Sequence, residues 1–362
     1  MPMCSEYLKS INISHSRPYL GESEIERVTD VISSGRIAQG EMVRQFEQVF
    51  SLKFNFSHTA ATNSGTSALH LALLAIGVKP GDEVIIPSYV CSALLHAVRC
   101  AGAVSVIADI DPKTYNIDPK DMKKRITGKT RAIIAPHMFG LSADMEQLLE
   151  FDIPIIEDCA QSVGGEYNGR PVGSFGKASI FSFYATKVMT TAEGGMVSSG
   201  SEELIDRIMD LREYDNKSDD KQRYNYKMSD VHAAIGLAQI DRLDSFIKKR
   251  REIAACYTDA FKFFDFQLPA MDSGHIFFRY VIGLKKGEDL DHWIDVLQKR
   301  GVQCARPVFR PIHKILGLSG YKQTNTVWGQ LLSIPIYPLL ARKEVDYIIA
   351  SVTETYHELM GE

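Results

Sequence analysis

Between about residues 55 and 200, short apolar runs alternate with helix-like stretches, and that alternation predicts an α/β protein with an open, mostly parallel sheet. The runs are continuously apolar rather than alternating apolar and polar. Strands covered by helices on both faces have this character. After Gly194-Gly195 the pattern changes to long helical stretches and a compact C-terminal part. The chain therefore divides into a large doubly wound domain and a smaller C-terminal α+β domain.

Five runs read as buried strands: Val84-Ile-Ile-Pro87, Val104-Ser-Val-Ile-Ala108, Ala132-Ile-Ile-Ala135, Ile153-Pro-Ile-Ile-Glu157 and Ala178-Ser-Ile-Phe-Ser-Phe183. Stretches 92–100 and 144–151 between them read as helices. Further helices are expected at 202–213 and 229–252. The second carries Val231, Ile235, Leu237, Ile240, Leu243 and Ile247 along one face. Past the basic run Lys248-Lys-Arg-Arg251 the pattern gives a strand at 275–284 and helices at 290–300 and 343–359. The domain boundary is placed near residue 245, giving units 1–245 and 246–362.

At 362 residues the chain is long enough for two domains, and 45% hydrophobic content is ordinary for a folded protein. The net charge is −4, and no basic block marks a nucleic-acid or anionic-membrane surface. No stretch approaches the roughly 18 apolar residues of a membrane span. The N-terminal residues Met1 to Lys9 lack the apolar core of a signal peptide. Cys4, Cys91, Cys100, Cys159, Cys256 and Cys304 form no C-x-x-C pair, so neither a metal site nor a disulfide framework is expected. Scattered cysteines fit a reducing, cytoplasmic setting.

Two motifs carry chemistry. Lys187 closes Ser182-Phe-Tyr-Ala-Thr-Lys187, and Asp158 ends the strand Ile155-Ile-Glu-Asp158. A lysine that can condense with an aldehyde, plus a carboxylate that keeps a pyridine nitrogen protonated, is the pair that pyridoxal 5'-phosphate needs. A surface lysine and a helix-capping aspartate are the plain alternatives. Asn63-Ser-Gly-Thr66-Ser67 precedes the apolar stretch Ala68–Ile76, and such a turn before a helix can bind phosphate. An ordinary cap by Ser64 or Thr66 is the rival there. Ser182 would add a hydroxyl at the phosphate. Tyr89 follows a strand end and could stack on the ring or sit in the core. Gln161 could meet the phenolic oxygen of the cofactor. His137 also ends a strand and has no assigned role.

Taken together these segments resemble the DegT/DnrJ/StrS family of sugar-nucleotide aminotransferases, nearly end to end. The resemblance runs through Ser33-Ser-Gly-Arg-Ile-Ala-Gln-Gly40, Gly81-Asp-Glu-Val-Ile-Ile-Pro-Ser-Tyr89, Asp109-Ile-Asp-Pro112, Tyr224-Asn225-Tyr-Lys-Met-Ser229 and Leu332-Ser-Ile-Pro-Ile-Tyr-Pro338, as well as the motifs above. It implies the aspartate-aminotransferase-like fold of pyridoxal-phosphate enzymes (fold type I) and a homodimer with shared active sites. It also implies a nucleotide-linked keto sugar as substrate, L-glutamate as amino donor, and a place in amino sugar and polysaccharide biosynthesis. In it Lys187 is the Schiff-base lysine, Asp158 the pyridinium partner and Gln161 the residue at the phenolic oxygen. Thr66, Ser67 and Ser182 are phosphate ligands, Tyr89 is the stacking aromatic, and Asn225 reaches the neighbouring subunit's phosphate. Members with histidine for the lysine are dehydratases, so Lys187 favours transamination. Sugar dehydratase, cyclitol aminotransferase and non-catalytic regulator are the other readings of this scaffold. Segments 213–220 and 307–313 depart from the family pattern and are expected near the substrate.

Overall fold

The computed structural model describes residues 12–285 and 287–360. Cys4 and the N-terminal stretch read for a signal peptide lie outside the described residues. Seven strands form the main sheet: β1 (His58–Thr62), β2 (Glu83–Pro87), β3 (Val104–Ala108), β4 (Thr130–Pro136), β5 (Ile155–Asp158), β8 (Ala178–Ser182) and β9 (Gly195–Ser199). The two-residue strands β6 (Glu166–Tyr167) and β7 (Arg170–Pro171) form a hairpin between β5 and β8. The sheet order is β1-β9-β8-β5-β4-β2-β3. The neighbours from β3 to β8 are parallel, and β9 runs antiparallel to both β8 and β1. All five strands expected from apolar runs are present, and the sheet is mostly parallel, as a fold-type-I enzyme requires.

Apolar side chains on opposite sheet faces explain the continuous runs. Ile86, Ile134 and Ile156 pack with the helix Gly65–Ala75, whereas Ile85, Ile133 and Ile155 pack with Met122, Met145 and Leu148. Strands β1 and β9 carry few aliphatics and escape a reading based on apolar runs. They are nonetheless buried, because β9 pairs with β8 on one side and β1 on the other.

The helix expected at 229–252 spans Asp230–Phe261 and passes through residue 245. Ile253, Ala254, Tyr257 and Phe261 continue its buried face into a C-terminal cluster with Trp293, Leu297, Ile334 and Ile348. There β10 (Tyr280–Gly283) pairs antiparallel with β11 (Leu331–Ile334). The strand expected at 275–284 shrinks to these four residues. Upstream of β10, the backbone bonds outside the ladder. Arg250 donates to the carbonyls of Phe277 and Phe278, and Arg251 to that of His275. The amides of Ile276 and Arg279 bond the carbonyls of Gly140 and Phe139. Segment 275–279 thus leaves the small sheet to line the end of β4.

Among the described residues no helix is long and apolar enough to cross a membrane. The five described cysteines are free.

One buried ion pair ties the sheet edge to its helices. Glu47, on the helix Glu41–Phe54, accepts from the amide of Ala61 in β1 at 2.8 Å and from Arg212 Nη1 at 2.7 Å. Arg212, at the end of the helix Glu202–Arg212, also donates to the Ala61 carbonyl. Removing one member leaves the other charge buried alone, which costs about 3–5 kcal/mol. Glu47→Ala is therefore expected to lower the unfolding free energy by an amount in that range, obtained from urea melts by linear extrapolation to water. A loss below about 0.5 kcal/mol would show that solvent reaches Arg212.

Candidate active site

The sheet order sets the carboxyl ends of β8, β5, β4 and β2 side by side, where ligands bind in this architecture. Several of the candidates sit at those ends. Ser182 closes β8, Asp158 closes β5, His137 follows β4, and the Ser88–Cys91 turn follows β2. Lys187 lies in the loop between β8 and β9, its amide bonded to the Tyr184 carbonyl at 2.9 Å. The helix Gly65–Ala75 begins against Ser182. A Cβ at Gly65 would stand 2.7 Å from the Ser182 Cβ, and one at Gly195 would stand 2.5 Å from the Ser64 carbonyl oxygen. Both positions need glycine for this close approach.

Asp158 is 6% exposed, and its Oδ1 accepts from the Ala160 amide at 3.0 Å. Its Oδ2 has no protein partner among the described residues. Burial pushes the carboxyl up, while the Ala160 amide and the Lys187 charge pull it back; the net direction is upward. Lys187 is half-buried, its Nζ 5.1 Å from the centre of the Phe278 ring. Desolvation pulls its amine below the usual lysine value, with help from the positive Arg279 and opposition from Cys91 and Asp158. A lower pKa leaves more of the amine neutral and nucleophilic. Gln161 uses its Oε1 to accept from the Phe139 amide at 3.0 Å, which aims the NH2 group elsewhere.

At the start of the helix Gly65–Ala75, Ser64 is the cap: its Oγ accepts from the Ser67 amide at 3.1 Å. The Ser67 hydroxyl donates to Asn63 Oδ1 at 2.7 Å. Both Ser67 donors are spent within the turn. Thr66 is exposed, and the amides of a helix's first turn have no intrahelical acceptor. Asn225 is also exposed, and its carbonyl accepts from Asn63 Nδ2 at 3.3 Å, which places it beside this turn of its own chain.

Tyr89 departs from expectation. It is 0% exposed, packed edge-on to Phe139, and its buried hydroxyl has no partner. Its ring offers no open face. The exposed side chain of this turn is Cys91, which feels the charges of Lys187 and Asp158. Desolvation pushes its thiol up, so it is neutral near pH 7. Sequence reasoning missed Cys91 because a lone cysteine carries no motif. His313, expected near the substrate, is 2% exposed. Its Nδ1 accepts from Ser88 Oγ at 2.6 Å and its Nε2 donates to Asn325 Oδ1 at 3.2 Å, which ties the C-terminal unit to the end of β2. Asn325 Nδ2 donates to the Tyr321 carbonyl, and this fixes its Oδ1 as the acceptor.

The donor set suits pyridoxal phosphate. Asp158 keeps one oxygen open for a ring N–H, the Gln161 NH2 makes only a long contact with Met138 Sδ at 4.0 Å and has a second N–H to give, and a hydroxyl and free helix amides mark a phosphate end. Against that geometry stand the comparisons. A model of the DegT/DnrJ/EryC1/StrS aminotransferase family matches residues 18–353. The chain belongs to that family. A GDP-perosamine synthase of Escherichia coli O157:H7 is 34% identical over 360 residues, covering 94% of this chain and 98% of the relative. The spore coat polysaccharide biosynthesis protein SpsC of Bacillus subtilis is 34% identical over 379 residues, covering 94% and 96%. Among solved structures, the pyridoxal-phosphate form of Spr1654 from Streptococcus pneumoniae, described as a sugar aminotransferase, has a TM-score of 0.90 at 28% identity. It covers 96% of this chain and 99% of that one. This DegT/DnrJ/EryC1/StrS member is a pyridoxal-phosphate-dependent aminotransferase.

Glu157, the residue before Asp158, holds that strand end in place. It is 0% exposed and accepts from the amides of Gly173, Phe175 and Gly176 at 2.7–2.8 Å and from His137 Nε2 at 3.1 Å. His137 Nδ1 accepts from the Ala143 amide, so its Nε2 carries the proton. Cys159 is also close, within 4.8 Å of both ligand atoms, but the Glu157 oxygens are already taken by donors. Burial pushes the Glu157 carboxyl up; His137 and the amides outweigh this and hold it below the ordinary value of 4.5. A depressed folded-state pKa gives stability that is complete above the unfolded value and is lost as pH falls through the folded one. Glu157→Gln should cost about 1–3 kcal/mol at pH 7. Its deficit should narrow as the pH drops below 4.5, in urea melts from pH 7 to pH 3. An undiminished deficit at pH 3 would show that the charge is not what the amides hold.

Proposed function

We propose that this chain transfers the amino group of L-glutamate to a nucleotide-linked keto sugar and releases an amino sugar. The carrying observation is the meeting of a desolvated Lys187 with the buried, half-satisfied Asp158 at one strand edge. Relatives named as GDP-perosamine synthases and as a spore coat polysaccharide protein support the sugar class, and they make GDP-linked keto sugars the first to test.

When bound, pyridoxal phosphate supplies an aldehyde that accepts an amine and a ring that withdraws electrons from the neighbouring carbon. Lys187 would hold the aldehyde through its amine and would be the base that takes the proton from the donor α-carbon. Asp158 Oδ2 would accept the ring N–H; a positive partner there would lower the carboxyl that burial raises. The Gln161 NH2 donates to the phenolic oxygen. Thr66 and Ser182 hydroxyls, with the first-turn amides, face the phosphate, while Ser67 orders the turn through Asn63. Cys91, the exposed side chain beside Lys187 and Asp158, would be the residue of this turn to meet the ring, with Tyr89 packed in the core against Phe139. Residues 1–245 form the cofactor-binding unit and 246–362 the smaller one. A cytoplasmic location fits the free cysteines.

The test supplies cofactor, L-glutamate and keto sugars of differing keto position linked to GDP, dTDP or UDP, and follows amino sugar and 2-oxoglutarate together. Absence of product from every sugar, with the cofactor visibly bound, would overturn the substrate reading. Lys187→Ala should abolish turnover and the lysine-linked visible absorbance while the protein stays folded. Turnover near the wild-type rate would remove Lys187 from the chemistry.

The protein acts as a homodimer in this reading, and exposed Asn225 donates to the phosphate of the other subunit's cofactor. Asn225→Ala alone should be severely impaired. Mixed with Lys187→Ala under conditions of subunit exchange, it should regain activity, at most about half of wild type per hybrid dimer, because one site of each hybrid is intact. Isolated hybrids without activity would place Asn225 at its own subunit's site.

A further inference from the structure

Arg279 is a partly buried cation without a carboxylate. Its Nη1 donates to His15 Nδ1 at 3.0 Å, and its guanidinium lies over the Phe278 ring, 5.1 Å from the centre. Its Nε and Nη2 have no protein partner among the described residues. Several other buried or partly buried arginines are matched by acids: Arg212 by Glu47, Arg223 by Asp210 and Asp219, Arg306 by Asp291, whereas Arg251 has only the His275 carbonyl, bonded at its Nε. Arg250 lacks an acid but is fully buried against three carbonyls, those of Phe277, Phe278 and Ile336.

The groups around Arg279 add no negative charge. His15 is itself neutral: burial first, then the Arg279 charge, pull it to about 3. Its Nε2 therefore donates to Ser333 Oγ at 2.9 Å while Nδ1 accepts from Arg279. The nearby cations Lys187 and Arg250 are both pushed down by Arg279. Desolvation lowers Arg279 only to about 10, so it stays charged at pH 7. A desolvated guanidinium with free donors is incomplete until an anion meets it.

Its position selects the anion. Lys187 Nζ lies 5.1 Å from the same Phe278 ring centre, so ammonium and guanidinium are at most about 10 Å apart. The phosphate end of the site is elsewhere, at Gly65, Thr66 and Ser182. An amino donor must bring its nitrogen to where Lys187 Nζ stands, and its carboxylates are carried on the same small molecule.

We propose that Arg279 binds a carboxylate of the amino-acid donor and thereby selects a dicarboxylic amino acid. This rests on the aminotransferase reading above. Phe278 spaces the two cations, and neutral His15 braces the guanidinium without neutralising it. The backbone contact from Arg279 N to the Phe139 carbonyl fixes the segment against the end of β4.

The experiment uses the holoenzyme and the variants Arg279→Gln and Arg279→Lys. The first half-reaction, L-glutamate with the bound cofactor, is followed alone by the loss of visible absorbance. Binding of GDP and UDP is measured beside it. Arg279→Gln should raise the apparent Kd for L-glutamate at least about tenfold, the scale of one lost charge-assisted bond. It should also shrink the preference for L-glutamate over L-alanine and leave nucleotide binding unchanged. Arg279→Lys, with charge but no planar fork, should fall between. Unchanged glutamate affinity with weakened GDP or UDP binding would assign the guanidinium to the substrate's phosphates and overturn the proposal. Loss of cofactor from both variants, instead of loss of donor affinity, would overturn it as a structural role. If wild type itself shows no absorbance change with L-glutamate, the aminotransferase reading fails first.

Discussion

A carboxylate with no access to solvent holds the site together. Glu157 is fully buried, and its two oxygens take three backbone amides from the 173–176 turn and the proton of His137. Strand β5 therefore cannot slide against its neighbours without stranding a buried charge, which is among the costliest defects a fold can carry. Asp158 is the next residue, so its side chain inherits that fixed position on the cleft side. His137 follows β4 and is locked by the same carboxylate, which joins the ends of two adjacent strands. Pre-placed groups of this kind need little reorganisation when charge develops near them.

The electrostatics of the cleft follow from how few acids face it. Arg279 presses on both Lys187 and Arg250, and Cys91 and Asp158 act on Lys187 in the opposite direction. Desolvation first, with a smaller push from Arg279, lowers the lysine amine, and the positive excess suits anionic ligands. Pyridoxal phosphate brings a phosphate and the amino donor brings carboxylates. The protein leaves these charges for its ligands to supply, and part of the binding energy is the relief of that repulsion.

The parallel sheet was legible because its buried strands are nearly pure Val, Ile and Ala, as in Ile85-Ile86 and Ile133-Ile134. Asp158 stood out as a candidate because it ends such a run, Lys187 because it follows Ser182, the end of another, by five residues, and their paired chemistry is specific. Strands β1 and β9 were not, since His58-Thr-Ala-Ala-Thr62 and Gly195-Met-Val-Ser-Ser199 owe their burial to lying beside β8. Tyr89 and Cys91 could not be ranked from sequence. Which of two nearby side chains faces a cleft depends on the turn's backbone, and no motif encodes that here. The long helix ran past its expected end because Tyr257 and Phe261 extend its face into a second core.

The least legible stretch is the most informative. Residues 275–279 look like the first half of a strand, with His275, Phe277, Phe278 and Tyr280 in an aromatic run. Their backbone bonds go to Arg250, Arg251, Phe139 and Gly140 instead of to β11. Phe277 even adopts a left-handed φ of 49°, which an aromatic residue accepts only under constraint from its surroundings. That departure from ladder geometry lays Phe278 against Lys187 and delivers Arg279 to the cleft. A regular strand would have kept both in the small sheet, away from the chemistry. The strain is thus local and serves placement: two arginines of the long helix hold the carbonyls so that a third arginine can stand, unmatched, beside the reactive lysine.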